Sequence, residues 1–438
     1  MRAVQPGGIA ALALAAGLSL AACSSGSSSS SSPTQSSTGP SSTGQSSTGP
    51  SSTGPSSTGP SSTGTAAAAA SSSTGAGKCG TVPTQLPSDP DGVLAALPAS
   101  LRALYNGYPT GVYKSAFASW KPASAANKTI GFLLSETNNG YQLALQQILS
   151  GMLKSAGYTV DEVTSSDEVT DQVADFNQMV EKKVAAIVYE PLSSSAFTTA
   201  VATAAKAGIP SISVLNSVDS ANTISVGAND WLQGAQMAAQ VAADIGGSGK
   251  VLDVHGISGV AIDTATYAGA KAAFAQCSGI TTDDTIYTQF ADSTAKSDVQ
   301  TYLETHPQKI SAVITSGAGA TGVMEGFQAA GKSLPELAND SMEDGELAYW
   351  YQNKSSYKGV GITTTPPQLA AATMDVVQAL FAGKGVKVSA IVLDTPLVTN
   401  ASIAQWYSSD MTTSSTGNAG GPTSLNVLPA DELSAVLG

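Results

Sequence analysis

The chain has 438 residues, a formal net charge of −13 and only 19 lysines and arginines. That balance excludes nucleic acid and an anionic membrane surface as main partners, since both select basic patches. Arg2 and Arg102 are the only arginines, so a bidentate clamp for phosphate or carboxylate has almost no material, and a neutral polar ligand is favoured over a large anionic one.

At the N-terminus, Arg2 precedes an apolar run over residues 9–20, followed by Leu20-Ala21-Ala22-Cys23. A positive start, an apolar core and small residues at the cut predict a secretory signal over 1–22. Cysteine at the cut resembles the lipobox of bacterial lipoproteins, which implies a lipid anchor on Cys23; an ordinary signal peptide with a chance cysteine is the alternative. The run is shorter than the about 20 residues a spanning helix needs. Residues 23–77 follow as a Ser/Thr/Gly/Pro linker, in which Ser-Ser-Thr-Gly-Pro repeats from residue 36 to 65. With so little to bury it is expected to stay disordered and to span about 40 Å on average.

About 330 residues remain, enough for two lobes rather than one core. Residues 78–127 are expected to be an extension packed on a lobe. In the oxidising compartment that the leader implies, Cys79 and Cys277 are expected to pair; two buried free thiols are the alternative. The two histidines, His255 and His306, have no cysteine or histidine at ligand spacing, so no metal site is expected. No cofactor is expected either.

From residue 129 the chain alternates strand and helix. Strands are expected at 129–134, 158–163, 184–189, 211–215, 223–227, 251–255, 281–289, 310–315, 360–364 and 391–398. Helices are expected at 141–156, 168–182, 196–207, 231–245, 264–275, 296–305, 323–330, 344–353 and 368–381. This alternation means α/β lobes with parallel sheets covered by helices. Residues 408–438 read as a loose tail, with a short helix possible at 429–437.

Ligands of open parallel sheets bind beyond the carboxyl ends of the strands. The residues found there define the candidate site: Glu136, Asn138, Asn139, Tyr141, Gln142, Tyr189, Glu190, Asn216, Asn229, Trp231, Ile257, Asp263, Ser316, Asp340 and Thr364. Amides, hydroxyls, carboxylates and aromatic faces together suit a sugar or polyol. Asp230 and Asp263 read equally well as helix caps. Residues 317–322 spell G-x-G-x-x-G between a strand and a helix, as in a dinucleotide-binding turn. Mid-chain in a secreted protein, the loop is expected instead to open cleft space or to aim helix N–H groups at a polar ligand atom; a plain tight turn is the remaining alternative.

The ordered set KTIGFLLSETNNGYQLALQQILSGMLKSAGY, VAAIVYEP, AAKAGIPSISV, VGANDWLQGAQMAA, SAVITS, GFQAAGK and GITTTPPQLAAATMDVVQAL resembles the type I periplasmic sugar-binding proteins of the ribose- and galactose-binding kind, the solute receptors of ABC importers. The resemblance covers about residues 128–400. It implies two Rossmann-like lobes joined by a three-stranded hinge: 128–227 plus 365–393 as the first, 228–364 plus 394–407 as the second. Asn139, Tyr141, Asn229, Asp230 and Asp340 stand at the family's contact positions. Ala268, Leu215-Asn216, Ser316-Gly317 and Thr364 depart from its arginines, amides and glutamine, so the architecture carries over while ribose or galactose does not. The resemblance and the leader together imply an extracytoplasmic, lipid-anchored monomer that captures a neutral sugar or polyol for a membrane ABC permease. A sensor of the same fold and a receptor for a nucleoside-like or amino-acid-like solute are the alternatives. No G-x-S-x-G, H-E-x-x-H or nucleophile–base pair occurs, so no enzyme is expected.

Overall fold

Short apolar runs separated by amphipathic segments bury both faces when they pair in parallel, and the structure is built on that rule. The computed structural model describes residues 78–134, 140–166, 168–317 and 319–438. The expected signal at 1–22, Cys23, the linker at 23–77 and the candidate residues Glu136, Asn138 and Asn139 lie outside the described residues.

The first lobe carries a six-stranded parallel sheet of β1 (Thr129–Leu134), β2 (Thr159–Thr164), β3 (Ala186–Tyr189), β4 (Ser211–Val214), β5 (Ile224–Gly227) and β11 (Ala390–Val392), in the order β11-β5-β4-β3-β1-β2. Central strands β3 and β4 are buried along their whole length. Helices α2 (Gly140–Ser155) and α10 (Pro366–Phe381) cover one face, and α3 (Val169–Glu181) and α4 (Thr198–Lys206) cover the other. The second lobe carries a five-stranded parallel sheet of β6 (Ser248–His255), β7 (Gly279–Tyr287), β8 (Ala312–Thr315), β9 (Glu336–Asn339) and β10 (Gly359–Gly361), in the order β10-β9-β8-β6-β7. Its helices are α5 (Asp230–Asp244), α6 (Ala261–Phe274), α7 (Asp292–Thr305), α8 (Ala320–Ala329) and α9 (Asp344–Asn353). The chain crosses between the sheets after β5, after β10 and after β11.

Helices α5 and α6 approach backbone to backbone. A Cβ on Gly234 would lie 1.9 Å from the Thr266 carbonyl oxygen, and one on Gly269 would lie 1.9 Å from that of Trp231. Only glycine at both positions allows this contact, which sets the start of α5 beside the cleft.

Three features depart from the sequence reading. Strand β9 was not expected: its four residues, Glu-Leu-Ala-Asn, are too short and too polar at the ends to stand out, and pairing with β8 and β10 makes the strand. The extension at 78–127 is not held on one lobe. Cys79 is bonded to Cys277 in the second lobe, and the Gln276 amide donates to the Thr81 carbonyl at 2.9 Å. Helix α1 (Ala99–Leu104), together with Tyr105, Tyr108, Val112 and Phe117, then joins the first-lobe core, where the Tyr105 hydroxyl donates to the Ala390 carbonyl at 2.8 Å.

The tail at 408–438, expected to be loose, is docked. Asp344 N–H donates to Gly417 O and Ala419 N–H to Met342 O on the second lobe, whereas Asp394 N–H donates to Val427 O and Lys387 N–H to Val436 O beside the first. Val427, Leu428, Val436 and Leu437 are buried in the first-lobe core, and α11 (Ala430–Val436) ends the chain. The low apolar content of 408–424 hides this, because the anchors are backbone hydrogen bonds and four late side chains.

Candidate ligand cleft

A cavity of about 380 Å³ lies where the carboxyl ends of both sheets face each other. The first lobe supplies Tyr141 and Gln142 from the start of α2, Glu190 and Leu192 after β3, and Leu215 and Asn216 after β4. The second lobe supplies Asp230 and Gln233 from α5, residues 257–260 after β6, Phe290 after β7, Gly317 after β8, and Asp340 after β9. Thr363 and Thr364 line it from the crossover after β10. Every wall is thus a strand end or the helix start next to one, as open parallel sheets dictate.

Asp340 is held rigidly. Thr266 Oγ1 and Ser316 Oγ donate to its Oδ2 at 3.2 and 3.0 Å, and Gly317 N–H donates to its Oδ1 at 2.5 Å. Burial pushes its carboxyl up to about 6, against the pull of those donors. The Gln142 amide donates to both oxygens of Glu190, at 3.1 and 3.3 Å, and the Gln172 amide donates to the Glu190 carbonyl at 2.7 Å. The Tyr141 hydroxyl donates to the Thr364 carbonyl at 2.5 Å, tying the first-lobe wall to a crossover. The Gln233 amide donates to Thr395 Oγ1 at 3.1 Å, at another crossover. Asn216 Oδ1 and Thr364 Oγ1 are buried on the cavity wall without a hydrogen-bond partner among the described residues. Buried polar atoms are normally paired, so these two point to a ligand or solvent that completes them.

The structure brings Tyr141, Gln142, Glu190, Asn216, Ile257, Asp340 and Thr364 to the cavity. The other candidates among the described residues do other work. Tyr189 is fully buried against Phe176 and Phe197, with ring centroids at 5.0 and 5.1 Å, and its hydroxyl meets Thr223; as the last residue of β3 it points into the sheet's helix-covered face. Asn229 caps α5 by accepting from Leu232 N–H, and its amide donates to the carbonyls of Leu104 and Asn106 in the extension. Trp231 lies over Gly107, where a Cβ would fall 2.0 Å from the indole. Asp263 accepts from Gly256 N–H and meets His255 Nδ1 at 2.9 Å, which fixes the turn carrying Ile257. Ser316 acts one step back, through Asp340.

Gln233, Leu215 and Phe290 line the cavity and were absent from the candidate set, which Asp230 entered only through the family resemblance. Asp230 had a signal, since it sits at a strand end beside Asn229, but sequence could not decide which of the two caps the helix. Phe290 adopts a positive φ of 56° and lies against Gly256 and Gly317, where Cβ atoms would fall 1.7 and 2.5 Å from its ring. No sequence pattern predicts a phenylalanine in that conformation.

In the G-x-G-x-x-G loop, four backbone donors among the described residues are already engaged by the protein's own carboxylates. Gly317 N–H donates to Asp340, Gly319 and Thr321 N–H donate to the two oxygens of Glu343 at 2.6 and 2.8 Å, and Gly322 N–H donates to Asp292. The expectation that the loop aims N–H groups at a ligand is therefore corrected: it aims them at the protein's own carboxylates. The room that Gly317 leaves is filled by Phe290. Among the described residues, no cluster of three or more His, Cys, Asp or Glu is placed to hold a metal ion, and no helix is long and apolar enough to cross a membrane.

Residues 130–385, more than half of the chain, match the family described as periplasmic binding protein domain. The chain belongs to that family. Curated relatives of this periplasmic binding protein include the ribose import binding protein RbsB of Bacillus subtilis, 25% identical over 51% of this chain and 74% of that one. RbsB of Escherichia coli is 23% identical over 60% and 88%. Among solved structures, an ABC transporter solute binding protein from Thermobispora bispora aligns with a TM-score of 0.57 at 22% identity, covering 64% of this chain and 88% of that one. A periplasmic solute binding protein from Actinobacillus succinogenes with bound D-allose aligns with a TM-score of 0.54 at 23% identity, covering 63% and 99%. At these identities the structural likeness carries the fold, two parallel-sheet lobes of the type I kind. The family match makes this chain a binding protein.

Proposed function

We propose that the chain captures a sugar or polyol outside the cytoplasm, as a monomeric lipoprotein anchored through Cys23, and delivers it to an ABC permease in the membrane. One observation carries this reading: the cavity between the lobes presents the unpartnered Asn216 Oδ1 and Thr364 Oγ1 beside the oriented carboxylate of Asp340. Polar groups of that kind, interspersed with apolar side chains around the wall, match a ligand with several hydroxyls and one apolar face. The import function of the ribose-binding relatives and the D-allose held by one solved relative support the same solute class. Capture would work by hinge motion at the crossovers, where Tyr141 and Gln233 already make contact.

The test is a thermal-shift screen of the full chain against sugars, polyols, nucleosides and amino acids, with calorimetry on any hit. A ligand at 100 times its Kd adds about 2.7 kcal/mol of apparent stability. A shift with one sugar or polyol class is expected; shifts only with nucleosides or amino acids overturn the solute class.

A further inference from the structure

The described lining of the cleft includes three carboxylates, Glu190, Asp230 and Asp340, and no lysine, arginine or histidine. Residues 135–139 and 318 contain no basic residue either. The three carboxylates are not equivalent. Glu190 accepts from Gln142, and Asp340 accepts from Thr266, Ser316 and Gly317. Asp230 is only 9% exposed, lines the cavity, and receives no hydrogen bond from any side chain among the described residues. It does not serve as the helix cap, since Asn229 accepts from Leu232 N–H in that role. The rest of the wall mixes uncharged polar groups such as Gln233 and Ser341 with apolar ones, Leu192, Leu215, Ile257, Val260 and Phe290.

A buried carboxylate beside a second carboxylate is costly unless it takes up a proton or a positive charge meets it. The helix N-terminus of α5 supplies only a partial charge, and the described residues place no cation in the cleft wall. A cationic group on the solute would supply the counter-charge that the described wall lacks. We propose that the solute is a sugar or polyol bearing a protonated amine, which donates to Asp230 while its hydroxyls bond to Asn216, Thr364 and Asp340. This rests on the reading of the cavity as the solute site and narrows its class. Burial, and then Asp340, push the Asp230 carboxyl well above the usual carboxylate range, as expected of a pair that lacks its cation. The other titratable groups facing Asp230 are Tyr141 on α2 and Tyr108 of the extension, neither of which supplies positive charge.

Calorimetry on the full chain with matched pairs tests this: glucose and glucosamine, galactose and galactosamine, sorbitol and glucamine. In at least one pair the amine is expected to bind more tightly than its hydroxyl counterpart by on the order of tenfold, the strength of a hydrogen bond to a charged group. Acetylation of that amine is expected to abolish the gain. Asp230→Asn, which keeps the side-chain shape, is expected to remove the preference for the amine over its neutral partner. Equal or tighter binding of the neutral partner overturns the amine and leaves the sugar reading intact. An amine preference that survives in Asp230→Asn overturns the role of Asp230. Binding of no sugar, polyol or amine overturns both readings together.

Discussion

Cys79 is bonded to Cys277 across 198 residues, with their Cα atoms 4.7 Å apart, and the bond fastens the second lobe to a segment whose continuation is buried in the first. The lobes are therefore joined by the extension and the tail in addition to the three crossovers. Removing the bond by Cys79→Ala with Cys277→Ala should lower the unfolding free energy by about 2–4 kcal/mol, as for loops of this kind. Differential scanning calorimetry of the variant measures it. An unchanged Tm would mean that the extension holds without its covalent anchor.

The docked tail makes a second prediction. Truncation after residue 408 removes Val427, Leu428, Val436 and Leu437 from the first-lobe core. Each fully buried aliphatic side chain contributes about 1.5–3 kcal/mol, so a marked fall in Tm and exposure of apolar surface to dye are expected. A truncated chain as stable as the full one would restore the loose tail that composition alone implied.

The α5–α6 contact tolerates no side chain at its centre. Gly269→Ala places a methyl 1.9 Å from the Trp231 carbonyl oxygen and should destabilise by at least about 2 kcal/mol. It should also weaken ligand binding, because α5 carries Asp230 and Gln233 and α6 carries Thr266, which holds Asp340. Gly151→Ala, whose Cβ would meet nothing within 4 Å, serves as the control: it should leave binding unchanged and, in a helix interior, add about 0.5–1 kcal/mol of stability.

Buried carboxyls give the unliganded protein a characteristic pH dependence. Burial is the largest cause of the rise at each of four groups: Asp340 to about 6, Asp253 to about 7, and Glu336 and Glu346 to about 8. A carboxyl whose pKa is raised on folding binds more protons in the folded state, so stability falls as pH rises from its unfolded value through its folded one. Tm should therefore decline between about pH 4 and pH 8. For Asp340 alone the effect is on the order of 3 kcal/mol at neutral pH. Chemical denaturation across that range is the measurement, and Asp340→Asn should flatten its lower part. A profile rising toward pH 8 would contradict the assignment.

The Glu343 carboxylate closes the glycine loop by accepting from Gly319 and Thr321. Glu343→Ala leaves two buried donors unpaired and should cost about 2–4 kcal/mol. It should not create affinity for phosphate, which direct titration with inorganic phosphate and a dinucleotide would check.

By itself the sequence determined the alternation of strand and helix, because short apolar runs, and a period near 3.6 between them, are local properties. It placed the cleft as well, since strand ends can be counted along the chain, and Asp340 and Tyr141 were legible for that reason. Tertiary structure alone decided what each strand-end side chain does. Tyr189 turned into a core and Trp231 toward Gly107, whereas Asp230, one residue from a cap, was left facing the cavity. A one-residue step reverses which way a side chain faces, and neighbouring residues look alike in sequence. Strand β9 escaped notice because partners far along the chain make it a strand. The docking of the tail escaped notice because backbone hydrogen bonds hold much of it, and they leave no periodic trace.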